Sequence, residues 1–299
     1  MRHPFGVSHR ARENGIHFLL GCSSQKETNE STRKSATIQA MSDLYAKKSL
    51  GQHWLNDDGV LNAICDVGKV TSEDTVLEIG PGQGSLTTVL LNRGAQVTAV
   101  ELDERLGKQL DEKFKSKPFI LNMLSILDFD LSTLPIDYKV VANIPYYLTA
   151  HLLRMLCETL HKPQLSVLLV QKEVAQRVAS GPGDMSLISV AVQLSYEVSL
   201  GRVVQAKLFM PPPKVDSQIL ILARRDEPMF ADADAKKLLH IVKAGFANRR
   251  KTLLNSLSAG LQLPKDQTTA LIEQAGVKLS VRAQELSLDD WHSLYLAAK

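Results

Sequence analysis

The feature that most constrains this chain is a run of β-forming residues that stops at a cluster of glycines. Thr75-Val76-Leu77-Glu78-Ile79 reads as a short strand, Gly80-Pro81-Gly82-Gln83-Gly84 as a turn, and Ser85–Arg93 as a helix. A second strand, Gln96–Val100, ends at Glu101, and the helix expected after it places Leu102, Leu106 and Leu110 on one face. Further strands are expected at Lys139–Ala142, Leu165–Val170, Val190–Val198 and Gln218–Leu222, with helices at Leu148–Leu160 and Glu173–Val178 between several of them. Strands alternating with helices predict an α/β fold with a doubly wound, mostly parallel sheet. Its ligand then sits at the carboxyl ends of the strands.

The glycine turn lets main chain approach a ligand closely, and Glu101 lies 21 residues after Gly80 at the end of the next strand. A carboxylate there can accept the hydroxyls of a ribose. That spacing also suits NAD. The turn, however, runs G-x-G-x-G and has Ser85 where the dinucleotide fingerprint has its last glycine, while Glu78 stands just before it. An acid beside the turn repels a pyrophosphate and suits a cationic sulfonium with an amino-acid tail, which favours S-adenosylmethionine over NAD. The bland alternative is a glycine turn that only packs a helix on a sheet.

Asn143-Ile144-Pro145-Tyr146 follows the strand at Lys139–Ala142 and therefore lies at the same sheet edge. An Asn amide oxygen and a carbonyl at the Ile144–Pro145 corner can accept both hydrogens of an exocyclic amine, and Tyr146 can stack on the ring that bears it. Such an amine is conjugated and a poor nucleophile. Accepting its N–H bonds pulls the nitrogen toward tetrahedral geometry and frees the lone pair for in-line attack on a sulfonium methyl. Without the glycine turn, an Asn-x-Pro corner would read more simply as a strand cap.

A chain of 299 residues suits about two domains, and 44% apolar with 22% charged residues is ordinary globular composition. No apolar run approaches the roughly 18 residues of a membrane span, so no membrane role is expected. The formal charge is only +3, so a polyanion must be met by a local basic patch. Cys22, Cys65 and Cys157 are scattered and odd in number, which argues against a disulfide framework or a metal site and for a reducing, cytoplasmic setting. Residues 1–40 sustain no period and are expected to be a mobile, dispensable extension. After Arg224-Arg225-Asp226-Glu227-Pro228, a linker by composition, Leu238, Leu239, Val242 and Phe246 share a helical face, followed by Asn248-Arg249-Arg250-Lys251. The expected organisation is therefore a catalytic domain at 41–225 and a small all-α domain at 226–299. Arg249, Arg250 and Lys251 are expected within one helical turn and, with Lys47, Lys48 and Lys172, are candidates for RNA phosphate contacts. The simpler reading of such a cluster is a solvated face.

Seven segments in order resemble the small-subunit ribosomal RNA adenine dimethyltransferases: Lys47–Leu55, Glu78–Thr87, Glu101-Leu102-Asp103, Asn143–Tyr146, Gln171–Arg177, Phe209–Ser217 and Phe246–Leu257. The resemblance implies a Rossmann-like, S-adenosylmethionine-dependent methyltransferase sheet. It also implies transfer of two methyl groups to N6 of each of two adjacent adenines in a hairpin near the 3′ end of small-subunit RNA. By that resemblance Gln52, His53, Leu55, Gly80, Gly82, Glu101, Leu102, Ser125 and Asn143 line the cofactor site, and Tyr146 and Phe209 sandwich the target adenine. The implied partner is small-subunit RNA in a pre-ribosomal particle, met by a monomer. Two departures stand out. Ser125 stands where the family usually has an Asp that helps hold the cofactor adenine, a task Ser125 performs only more weakly unless Asn122 or Asp128 substitutes, and Met185-Ser186 replaces a Tyr-Gly pair at what is expected to be the sheet edge. The rival readings are a large-subunit RNA adenine methyltransferase and a non-catalytic RNA-binding assembly factor.

Overall fold

The computed structural model describes residues 46 and 50–299, so the expectations for residues 1–40, Lys47 and Lys48 lie outside the described residues. In chain order the regular elements are β1 (Trp54–Leu55), α1 (Asp58–Val67), β2 (Thr75–Ile79), α2 (Ser85–Asn92), β3 (Gln96–Glu101), α3 (Glu104–Phe114), β4 (Phe119–Met123), β5 (Lys139–Asn143), α4 (Thr149–Glu158), β6 (Leu165–Gln171), α5 (Lys172–Val178), α6 (Leu187–Ser195), β7 (Tyr196–Val204), β8 (Phe209–Met210), β9 (Ser217–Arg224), α7 (Ala235–Phe246), α8 (Leu253–Leu261), α9 (Lys265–Gln274) and α10 (Leu288–Ala297).

Seven strands form one sheet in the order β4-β3-β2-β5-β6-β9-β7. The first five are parallel, whereas β9 runs antiparallel to both β6 and β7. The parallel strands read as unbroken apolar runs because helices cover both faces: Val76, Leu77, Val140, Val141 and Val167–Val170 are all fully buried. The strand order reverses between β2 and β5, and the crevice beyond their carboxyl ends is where such sheets hold ligands. β1 and β8 form a separate two-stranded antiparallel ladder, with Trp54 opposite Met210 and Leu55 opposite Phe209.

Several local expectations are corrected. Val190–Val198 is not one strand, because residues up to Ser195 form α6 and the strand begins at Tyr196. A reciprocal capping box between Ser186 and Ser189 starts that helix, and Val190 and Val192 are buried in it against apolar neighbours. A short apolar run does not by itself distinguish a buried helix from a buried strand. Met185-Ser186 therefore lies at this helix start, with Met185 in the core, and not at a sheet edge. Leu102 leaves the face shared by Leu106 and Leu110, since Asp103 caps α3 and Leu102 is half exposed. The edge strand β4 had no clear periodic signal. Arg249, Arg250 and Lys251 lie in the irregular link between α7 and α8, exposed, and not within a helical turn. Arg224 is the last residue of β9 rather than linker; it donates to the carbonyls of Ile136 and Lys162 and pairs with Asp137. Beyond it α7–α10 enclose an apolar cluster around Trp291, to which Met185 and Val190 also belong.

Candidate active site

The glycine turn between β2 and α2 is shaped by what presses on it. At Gly84 the main chain has φ +76°, and a Cβ there would lie 2.7 Å from the Phe114 ring, so both conformation and space require glycine. From the other side the Trp54 indole approaches Gly82, 3.2 Å from where a Cβ would stand. Lys113 reaches back from α3 and donates to the carbonyls of Gln83 (2.9 Å) and Gly84 (3.3 Å).

Glu101, at the end of β3, is buried and tied to the same turn. Its Oε1 accepts from the main-chain N–H of Leu102 (2.9 Å) and Asp103 (2.8 Å), and its Oε2 from Gly82 N–H (3.2 Å). Burial pushes its carboxyl above the usual carboxylate range, against the pull of these three donors. Glu78, at the end of β2, is buried deeper. Burial raises its pKa to about 8, with the nearby Glu101 charge adding to the rise and Lys113 opposing it. Its Oε2 has no hydrogen-bond partner. Two acids with unspent acceptor capacity thus sit at adjacent strand ends, an arrangement suited to a cation-bearing ligand.

Across the switch point, β5 ends at Asn143, and the chain turns through Ile144-Pro145 with Ile144 N–H bound to Leu169 O at 3.1 Å. Asn143 Nδ2 donates to the main-chain carbonyl of His53 at 3.1 Å, which leaves Oδ1 as the acceptor end of the amide. Pro145 lies against Gly80, so the two turns meet. The Tyr146 hydroxyl is held by Ser217 at 2.9 Å, and the Tyr146 ring lies 5.6 Å from that of His53. Phe209 is buried on β8, opposite Leu55.

The two turns, both acids and the aromatic rings bound one cavity. Gln52, His53, Leu55, Gly80, Gly82, Glu101, Leu102, Ser125, Asn143, Ile144, Pro145, Tyr146 and Phe209 line it together, as does Glu78. Ser125 uses its hydroxyl to accept from Leu127 N–H at 3.2 Å, capping a short helical turn at the cavity wall. Asn122 and Asp128 are not among the lining residues. Gln52 donates to Asp103 at 2.9 Å, binding the 50–55 segment to the β3–α3 corner. Lys172 lies at the start of α5, outside this cavity. Arg249 borders a second one, next to the start of α6, together with Arg177 and Lys243, two cations the sequence reading passed over. It also passed over Trp54, Tyr147 and Lys113. Trp54 and Tyr147 stand in or beside the recognised motifs, whereas nothing local in the sequence marks Lys113, which acts on a turn about 30 residues away.

Comparison with known proteins places this geometry. Residues 44–299 match the family model described as "Ribosomal RNA adenine dimethylase". A "Ribosomal RNA small subunit methyltransferase A" from Dehalococcoides mccartyi is 42% identical over 260 residues, 85% of this chain and 88% of that one. One of the same description from Streptococcus equi subsp. zooepidemicus is 38% identical over 284 residues, 88% and 97% of the two chains. Among solved structures, a dimethyladenosine transferase from Plasmodium falciparum superposes with a TM-score of 0.68 at 25% identity, covering 81% of this chain and 96% of that one. The 23S rRNA methyltransferase ErmE superposes with a TM-score of 0.66 at 27% identity, covering 82% and 98%. With a family match that spans all the described residues and relatives this similar, the chain belongs to the ribosomal RNA adenine dimethylase family.

Proposed function

We propose that this chain is an S-adenosylmethionine-dependent enzyme that dimethylates N6 of two adjacent adenines in a hairpin near the 3′ end of small-subunit ribosomal RNA. The observation that carries the reading is the Asn143 amide: its Nδ2 is taken by His53, and it stands at a strand end beside a cavity walled by Glu78 and Glu101. S-adenosylmethionine supplies an electrophilic methyl group on a sulfonium centre. The cavity fits it, because Glu78 has an orphaned buried oxygen for the ammonium of an amino-acid tail and Glu101 keeps a free acceptor position for a ribose hydroxyl. In the first transfer Asn143 Oδ1 and a carbonyl of the Ile144–Pro145 corner accept the two N6 hydrogens, and in the second one of these acceptors holds the single hydrogen that is left, so that the nitrogen lone pair faces the methyl each time. Tyr146 and Phe209 hold the extruded adenine between them. No ionisable base is needed before transfer, since the nitrogen becomes acidic only once it carries the new methyl, and its proton then passes to solvent.

The Arg249–Lys251 link, with Lys172, meets RNA phosphates without reading bases, since these cations are not interleaved with aromatic residues. The same reading takes the substrate to be an immature small-subunit particle, met by a monomer in the cytoplasm; no helix among the described residues is long and apolar enough to cross a membrane. Purified protein, labelled cofactor and immature small subunits should give N6,N6-dimethyladenosine in RNA digests analysed by mass spectrometry. With large-subunit RNA offered in a parallel reaction, label found only there would transfer the reading to the ErmE-like activity, and no label on either would reduce it to RNA binding.

A further inference from the structure

His53 joins three parts of the site that lie far apart in the chain. Its main-chain carbonyl accepts Asn143 Nδ2–H at 3.1 Å, its Nδ1 lies 2.7 Å from the carbonyl oxygen of Pro211, and its ring lies 5.6 Å from the Tyr146 ring at an interplanar angle of 31°. A carbonyl can only accept, so Nδ1 carries the hydrogen of that short bond. The two residues that follow His53 form β1 and pair with Met210 and Phe209, immediately before Pro211.

The Asn143 amide has two ends of nearly equal size and opposite hydrogen-bonding character. With the His53 carbonyl on one side, the amide has one favourable orientation: Nδ2 toward that carbonyl and Oδ1 away from it. The reverse orientation sets two acceptors against each other and turns N–H groups toward an amine that itself needs acceptors. We propose that His53 is a positioning residue for methyl transfer: its Nδ1–H···O bond to Pro211 anchors the 50–55 segment to the wall that bears Phe209, and so holds its own carbonyl where it fixes Asn143 Oδ1 toward the reacting amine. This gives the side chain a part in orienting Asn143 besides the place beside the cofactor that the resemblance gives it, and it rests on the methyl-transfer reading above.

Three variants test it. Asn carries its amide nitrogen on Cγ, as His carries Nδ1, so His53→Asn can still donate to Pro211; His53→Gln places the nitrogen one carbon farther out and overshoots; His53→Ala has no donor. Single-turnover methyl transfer is measured with saturating S-adenosylmethionine and small-subunit particles, and cofactor affinity by calorimetry without RNA. His53→Ala and His53→Gln should be slowed on the order of 10–100-fold, the range a misplaced reacting group costs. Because the cofactor is saturating, that loss is one of rate and not of cofactor occupancy, and His53→Asn should recover most of the rate. If His53→Ala unfolds, the Asn and Gln pair carries the same comparison. An unaffected rate in His53→Ala, or Asn no better than Gln, overturns the inference while the functional reading stands. Failure of the unaltered protein to methylate small-subunit adenine overturns both.

Discussion

Replacing Glu101 with Gln probes the cofactor site with little change of size. A carboxylate has about four lone-pair positions. In Glu101 both positions on Oε1 are filled by the Leu102 and Asp103 N–H groups and one on Oε2 by Gly82 N–H, so a single position remains for a ribose hydroxyl. In Glu101→Gln the amide oxygen can keep Leu102 and Asp103, but its NH2 then faces both Gly82 N–H and the ligand. The variant therefore loses the bond from Gly82 and, toward the ligand, one hydrogen bond to a charged acceptor, which contributes about 1.5–3 kcal/mol to affinity. At tenfold per 1.4 kcal/mol the dissociation constant for S-adenosylmethionine should rise about 10–150-fold. Calorimetric titration measures this, with thermal unfolding as the control for an intact fold. A constant within about threefold of the unaltered protein removes Glu101 from the cofactor site; a loss above about 1000-fold means that the acid holds its ligand through more than one acceptor.

Asn143→Ala should slow single-turnover transfer by about 10²-fold or more, as removal of one preorganised polar group does at other polar reaction sites, and a near-normal rate removes Asn143 from the mechanism. Tyr146→Ala should cost about 1–3 kcal/mol in holding the base, seen as weaker methylation with cofactor affinity nearly intact. Loss of both together would mean that Tyr146, through its bond to Ser217, supports the fold instead. Neutralising Arg249, Arg250 and Lys251 should flatten the salt dependence of RNA affinity by up to about 0.7–0.9 of a log unit per lost phosphate contact, and an unchanged slope returns the cluster to a solvated face. Glu78 has a folded-state pKa raised from 4.5 to about 8, so its protonated form stabilises the fold at low pH and that contribution disappears as pH rises through about 8. Denaturant titrations should show stability falling between about pH 4.5 and about 8 and levelling off above that, a decline that Glu78→Gln removes. Cofactor binding near neutrality should release a proton, detectable as heat that varies with the buffer.

Legibility followed sequence distance. The β2 strand, its glycine turn and Glu101 lie within 27 consecutive residues, and each carries a local signature, so that half of the cavity was readable from period and spacing. Asn143–Tyr146 was readable for the same reason. Contacts made by tertiary folding were not: His53 meets Pro211 across 158 residues and Asn143 meets His53 across 90, and neither pair shares a local pattern. The 50–55 segment was placed at the site by resemblance, and its bonds to Asp103 and Pro211 supply the physical reason. Val190–Val198 failed differently, because β-branched residues favour strands until a capping box and burial on both sides make a helix the better solution.

The strand order has a consequence for how the molecule assembles as it leaves the ribosome. β7 pairs only with β9, and β9 pairs with both β7 and β6, so β7 has no partner in the sheet until the chain has been extended through Arg224. The parallel portion from β4 to β6, with Glu101 and Asn143 at its strand ends, needs nothing beyond Gln171 to form its ladders. Synthesis at roughly 5–20 residues per second therefore separates the two stages by several seconds. Phe209 lies in the connection between β7 and β9, and its partner strand β1 was made long before. The wall that bears Phe209 is consequently the last part of the cavity to close, and a nascent chain arrested before Arg224 should hold the parallel sheet without that wall.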